Sequence, residues 1–137
     1  PLSSPLFTFS DNSGNVYVFE SGYYAFVNIF KISAAGAKSL LIEQTDIETA
    51  ASLHPGSCGI DTNSVAVDLT NSCFYIAGSG LNISETYVEE IIVRITFTGT
   101  CTLIIKNQTS ENVPPYHNYA YSMSNGKLLL NSTGTVL

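Results

Sequence analysis

Positive charge is scarce in this sequence: among 137 residues there are 5 Lys or Arg against 11 Asp or Glu, and the formal net charge is -6. Nucleic-acid affinity rests on several clustered cations that displace counterions from phosphate, so no nucleic-acid partner is expected. Charge of either sign is thin. Only 12% of residues are charged while 45% are hydrophobic, and a chain with that much apolar surface to bury folds rather than staying disordered. No apolar run approaches the roughly 20 residues that a bilayer-spanning helix needs, so no membrane span is expected. There is no Trp, a single Met and only 3 Cys. Catalytic motifs are missing too: no Gly-x-Ser-x-Gly elbow, no His-Glu-x-x-His pair, no glycine-rich phosphate loop. The chain opens with Pro1-Leu2-Ser3-Ser4-Pro5, which does not read as a secretory leader, and it is taken as processed or as a segment of something longer.

What is present are strand and turn formers. Tyr (8) and Phe (7) accompany frequent Val, Ile and Thr, while Gly, Asn and Ser recur at short intervals. Charged helix formers are too few to cover the polar faces of several surface helices. Thr45 to Leu53 is the one helical candidate, with Thr45 as N-cap and Glu48 three residues later, and Pro55-Gly56 stop it. It reads as a helical turn or a loop in an all-β chain.

Three Asn-X-Ser/Thr sequons begin at Asn82, Asn107 and Asn131. They fall past apolar runs or in expected loops, where a covalent N-glycan stands in solvent. With the low surface charge they point to a secreted or extracellular-surface protein. Cys58, Cys73 and Cys101 fit an oxidising compartment; being three, they allow one disulfide among them, or else all serve as small apolar residues. Their spacings, 15 and 28 residues, give no zinc pattern.

The chain repeats itself. Phe7–Gly22 aligns without gaps with Val65–Gly80, 58 residues on, and both read as strand, polar turn, strand centred on Tyr17 or Tyr75. A third copy runs Tyr119–Leu130 with an Asn125-Gly126 hairpin turn. The second half of the unit recurs as well: Ile29–Ile42 aligns with Ile92–Ile105, 63 residues on, so the second copy has five extra residues in the loop holding Asn82. Lys31 and Arg94 share one slot, a basic residue among apolar ones, as an outward strand position requires. The expected organisation is a single all-β unit: repeat one over 6–42, a connection over 43–63, repeat two over 64–105, a connection over 106–118 and a partial repeat over 119–137. Each full repeat is a four-stranded antiparallel meander. The Pro-bearing connections read as loops.

Ser64-Val65-Ala66-Val67-Asp68, then Phe74-Tyr75-Ile76-Ala77, then Ile92-Val93-Arg94-Ile95 with Gly99, resembles blades of β-propellers of the NHL and YVTN type. The unit is longer than the usual blade of that type, and Ser10 and Ser122 stand where the second copy has Asp68. The resemblance implies about two and a half blades. A propeller closes with roughly four to eight blades, so open sheet edges would be left for other chains or for copies of this one. The alternative architecture is a β-sandwich of about ten strands.

His54 beside Pro55, and His117 after Tyr116, are the general-base candidates, with Asp46 or Asp61 as orienting carboxylates, but both read as exposed loop histidines. The Glu89-Glu90 doublet reads as a solubilising strand end, and Asp61 and Asp68 supply too few oxygens for calcium. No cofactor and no catalysis are expected. Tyr119 and Tyr121 read as core, while Tyr23, Tyr24 and Tyr116 fall in expected loops and are the candidates for partner contact. The expected function is a non-catalytic extracellular β-repeat module with a structural, assembly or adhesive role. The alternatives are a fragment of a larger propeller enzyme or receptor, and a carbohydrate-binding domain.

Overall fold

The structure is a computed structural model that describes residues 5–21, 27–108, 121–124 and 127–130. Its class is all-β. Strands β1 (Pro5–Ser10), β2 (Val16–Ser21), β3 (Val27–Ile32) and β4 (Lys38–Ile42) form one antiparallel sheet in chain order. Helix α1 (Gln44–Ala51) follows, then β5 (Gly59–Asp68), β6 (Cys73–Leu81), β7 (Val88–Thr96) and β8 (Cys101–Gln108) form a second sheet, also in chain order. β9 (Tyr121–Ser124) and β10 (Lys127–Leu130) pair as a hairpin, and β9 comes alongside β5. Among the described residues, no helix is long and apolar enough to cross a membrane.

The two sheets pack face to face on one hydrophobic core. Tyr17, Phe19, Ile29 and Ile42 of the first sheet meet Phe74, Ile76, Val93 and Ile95 of the second, all at 1% exposure or less. Alternation explains the assignment: every second residue of a strand points to one face, so β2 delivers Tyr17 and Phe19 together. Rings fill the centre. Phe9 stacks on Tyr17 with centroids 4.7 Å apart and meets Phe74 edge-on at 5.3 Å, while Tyr17 lies 4.8 Å from Phe97. Offset and edge-to-face pairs each add roughly 0.5–1.5 kcal/mol beyond area burial.

The second halves of the sheets agree residue for residue. Ile29 pairs with Ile42, Phe30 with Leu40, Lys31 with Ser39 and Ile32 with Lys38, with a bulge at Leu41. Ile92 pairs with Ile105, Val93 with Leu103, Arg94 with Thr102 and Ile95 with Cys101, with a bulge at Ile104. The turns match as well. Gly36 N–H donates to Ser33 O, and Ala37 N–H to Ser33 Oγ; Gly99 N–H donates to Thr96 O, and Thr100 N–H to Thr96 Oγ1. Both turn glycines have positive φ, 87° and 93°, which side-chain-bearing residues rarely adopt.

The first halves differ by one residue from the ungapped alignment. Tyr17 faces Lys31 as Tyr75 faces Arg94, so β2 and β6 correspond as aligned. On the other side Phe9 pairs with Tyr17, whereas Ala66, not Val67, pairs with Tyr75. Between equivalent positions the turn after β5 is one residue longer, with residues 69–72 between Asp68 and Cys73 against 12–14 between Asp11 and Asn15, so the counterpart of Asp68 is Asp11 and not Ser10. Their chemistry agrees: Asp11 accepts from the Asn15 side-chain amide at 2.7 Å, and Asp68 from that of Asn71 at 2.7 Å. Each aspartate folds its own turn.

Three further boundaries depart from expectation. The stretch expected to be a turn or loop is an eight-residue helix whose N-cap lies two residues earlier, because Glu43 and Asp46 form a capping box in place of Thr45 and Glu48. Ile47 and Ala51, four apart, then reach the core together, and Ser52 ends the helix in the left-handed region. β5 begins at Gly59, inside the expected connection, and crosses an irregular register between Asp61 and Val65. β8 runs on to Gln108.

Candidate functional site

The sheets meet by unlike faces. Phe9, Tyr17, Phe19, Ile29 and Ile42 of the first sheet press on the second. By the pairing above, their counterparts in the second sheet are Ala66, Tyr75, Ala77, Ile92 and Ile105. Those five residues form a separate apolar cluster on the face turned away from the first sheet. Equivalent residues thus point the same way in both sheets, and the second sheet receives the first on the opposite face, through Phe74, Ile76, Val93 and Ile95. The outward faces are not open at their centres: Ala66, Ala77 and Ile92 of the second sheet are 3–6% exposed, and Val18 on the first sheet's outward face is 2% exposed.

Two directional contacts fix the filled interface. Lys31 Nζ donates to the main-chain oxygen of Phe97 at 3.3 Å, and it also lies 5.7 Å from the centre of the Tyr17 ring. Beside it Gly99 lies so close to Leu41 that a Cβ there would come 2.9 Å from Leu41 O. The counterparts of these four residues are Arg94, Ala34, Gly36 and Ile104. All four are solvent-facing by one measure or another: Arg94 and Ala34 are exposed, Ile104 is 40% exposed, and a Cβ on Gly36 would meet nothing within 4 Å. Leu40, on the outward face of the first sheet, is 50% exposed, whereas its counterpart Leu103 packs against the core.

Other side chains expected to act are used structurally. His54 Nδ1 lies 3.3 Å from Glu85, not against a catalytic aspartate, and Asp46 is spent on the helix cap. Glu89 is not a solubilising residue: it is buried and paired with Lys106, which also donates to Ala51 O at 2.8 Å and Ser52 O at 3.2 Å at the C-terminus of α1. Buried Glu48 accepts from Gln44 and from the Cys58 N–H, tying the helix to the chain entering β5. Among the described residues, no group of three or more His, Cys, Asp or Glu is gathered as a metal site would need.

The three cysteines are free thiols. Burial, aided by Glu48 and Cys101, pushes the Cys58 thiol up to about 12; burial and Asp46 push Cys101 up to about 11; burial and Asp68 raise Cys73. These thiols are poor nucleophiles. Asn107 is exposed at the end of β8, but Asn82 is buried and its side chain is engaged. Its Nδ2 donates to Thr86 Oγ1 at 3.0 Å, and its Oδ1 accepts from Thr86 N–H at 2.7 Å. Tyr23, Tyr24, Tyr116, His117 and Asn131 lie outside the described residues. The exposed interface counterparts carry no sequence motif; the shared basic slot of Lys31 and Arg94 was the one signal for them.

No protein-family model matches the chain, and no curated protein matches it.

Proposed function

We propose that the chain is a non-catalytic extracellular β-repeat module, built like consecutive propeller blades of the NHL or YVTN kind, whose role is assembly through its sheet faces. One observation carries this reading: the residues of the outward cluster on the second sheet are the counterparts of those the first sheet buries in the core. Blades stacked around an axis meet by unlike faces, so each stack keeps a receiving face at one end and an inserting face at the other. A sandwich that closes like face on like face leaves no such pair. The exposed Asn107 sequon supports an extracellular setting with covalent glycans. Light scattering of the full chain over a concentration series tests the assembly role: mass rising above the monomer supports it, and a constant monomer mass up to millimolar concentration overturns it.

A second reading, a part of a larger propeller enzyme or receptor, is favoured by the β9–β10 hairpin, which comes alongside β5 as the start of a third unit would. Coding sequence running on past Leu137 with further copies of the unit supports it, and a stop codon there overturns it.

A further inference from the structure

We infer that the outward apolar cluster of the second sheet is the seat of this chain's own β9–β10 hairpin, which keeps that face closed to other copies until it moves aside. The seat stands on the fold alone. Its consequence for association rests on the assembly reading above and adds what controls it.

The cluster is built of small residues and is nevertheless covered. Ala66, Ala77 and Ile92 are 3%, 6% and 6% exposed. Ala66 and Ala77 stand where the first sheet has Phe9 and Phe19, and their side chains are too short to shield one another. Burial is graded across the sheet. The outward positions Ala66, Cys73 and Ala77 of β5 and β6 are buried, whereas on β7 and β8 Arg94 and Thr102 are exposed and Ile104 is 40% exposed. The cover therefore comes from the β5 side, and β9, from outside the sheet, comes alongside β5.

The register of the hairpin supplies the matching face. Tyr121 stands opposite Leu130 and Met123 opposite Leu128, so these four positions share one face, and Ser122, Ser124, Lys127 and Leu129 share the other. The same pairing in the second sheet sets Val65 opposite Ile76 and Val67 opposite Phe74. Those four belong to the core, on the side that receives the first sheet. Leu128 and Leu130 align with Phe74 and Ile76 in the repeat, so the apolar face of the hairpin corresponds to a receiving face. The outward cluster of the second sheet is the counterpart of the face that inserts. An inserting face on a receiving face is how the two sheets already meet, so the second sheet inserts toward the hairpin as the first inserts toward the second. The hairpin is two strands wide where its seat is four, which leaves Arg94 and Ile104 uncovered. Another copy reaches this face only after the hairpin leaves, an opening of the kind that small peripheral units undergo well below the global unfolding free energy.

The test uses the full chain with a thiol introduced at the seat by Ala66→Cys. Labelling by a thiol reagent is followed by peptide mass spectrometry, and Cys58, in the core between the sheets, is the internal standard. Leu128→Asp puts a charge on the apolar face of the hairpin, and Leu129→Asp puts one on its other face. Circular dichroism shows that each variant is folded. Leu128→Asp is expected to speed labelling at position 66 about tenfold or more with Cys58 unchanged, because an unpaired charge is not held in an apolar seat. Leu129→Asp is expected to leave the rate as it was. Ala77→Cys is the reporter should Ala66→Cys unfold. An unchanged rate in Leu128→Asp overturns the seat, and acceleration by both variants alike, or by Leu129→Asp alone, overturns the register. Sedimentation velocity of Leu128→Asp and the wild-type chain, without the reporter, is expected to show stronger association in the variant. Association that is unchanged although the seat has opened overturns control by the hairpin. No association in either chain removes the assembly reading and leaves the seat, which the labelling decides.

Discussion

Lys31 Nζ, on the first sheet, donates to the main-chain oxygen of Phe97 on the second, 3.3 Å away. The stem of Lys31 runs through the sheet–sheet interface, so the side chain contributes packing as well as a charge-assisted bond. Lys31→Met keeps the stem and removes the donor. It is expected to cost about 1 kcal/mol, discounted from the usual range for charged hydrogen bonds because the residue is only half-buried. Lys31→Arg is expected to lose less than half of that, because the second sheet already places Arg94 in the same slot. Urea unfolding of the two variants decides the matter: equal losses for both would show that the carbonyl contact contributes nothing beyond packing.

Gly36 and Gly99 occupy the same place in two equivalent turns, but only one of them touches the other sheet. Both have positive φ, so alanine at either is expected to cost about 1 kcal/mol of backbone strain. At Gly99 the new Cβ would also meet Leu41 O at 2.9 Å, a backbone atom that has no free rotamer to move away, whereas Gly36 has open space. Gly99→Ala is therefore expected to cost about 1–3 kcal/mol more than Gly36→Ala. Thermal unfolding midpoints give the comparison directly, and equal shifts would mean that the sheets do not approach each other at Leu41 as described.

Class and strand order were legible because alternation and turn residues are local signals: Phe7 and Phe9, or Tyr17 and Phe19, announce a strand face by spacing alone. The one-residue slip between Phe9 and Val67 was not legible, since a turn's length changes register without changing either strand's pattern. Asp11 and Asp68 hold the information, but their equivalence emerges only once the pairing is known. The helix extends beyond the sequence signal because its N-cap, Glu43, lies two residues before the Thr45 that looks like a cap, and Asp46 rather than Glu48 closes the box. Glu89 and Asn82 were misplaced for another reason. Each is buried by contacts with its surroundings, Lys106 for one and the Thr86 loop for the other, and periodicity carries no information on such partners. The unlike-face stacking that defines the candidate site is a relation between sheets, and a single chain's pattern does not state it.

The thiols make stability pH-dependent in one direction. Cys58 and Cys101 are pushed up to about 12 and about 11, chiefly by burial, while in the unfolded chain thiols ionise near their ordinary value of about 8.5–9. Between these limits the unfolded state has lost protons that the folded state still holds, so stability is fully present below about pH 8.5 and falls as pH rises toward 11 and 12. Tyr17, whose hydroxyl is raised by burial and by its bond to Asp11, adds to the same trend at still higher pH. Cys58→Ala is expected to flatten the decline. Urea midpoints from pH 7 to 10.5 measure it, together with slow labelling by a thiol reagent in the native state that accelerates on unfolding. A midpoint independent of pH, or fast native labelling of Cys58, would contradict this assignment.

Glycan attachment is expected to discriminate between two sequons that look alike in sequence. The oligosaccharide is transferred to Nδ2 of asparagine, so the amide must reach solvent. Asn107 is exposed near the end of β8. Asn82 is 9% exposed, and its Nδ2 donates to Thr86 Oγ1 while its Oδ1 holds the Thr86 and Tyr87 N–H groups. Modifying Asn82 after folding would strip this loop of its anchor. In material made by a glycosylating secretory host, glycopeptide mass spectrometry is expected to find Asn107 occupied and Asn82 largely bare. Asn107→Gln removes the glycan with a stability change within about 0.5 kcal/mol, as for most exposed positions. Asn82→Ala loses the loop's anchor and is expected to cost about 1–3 kcal/mol with no change in glycan mass. Full occupancy at Asn82 would mean that its loop is open when the chain is modified, and the burial described for it would then form only around the attached sugar or not at all.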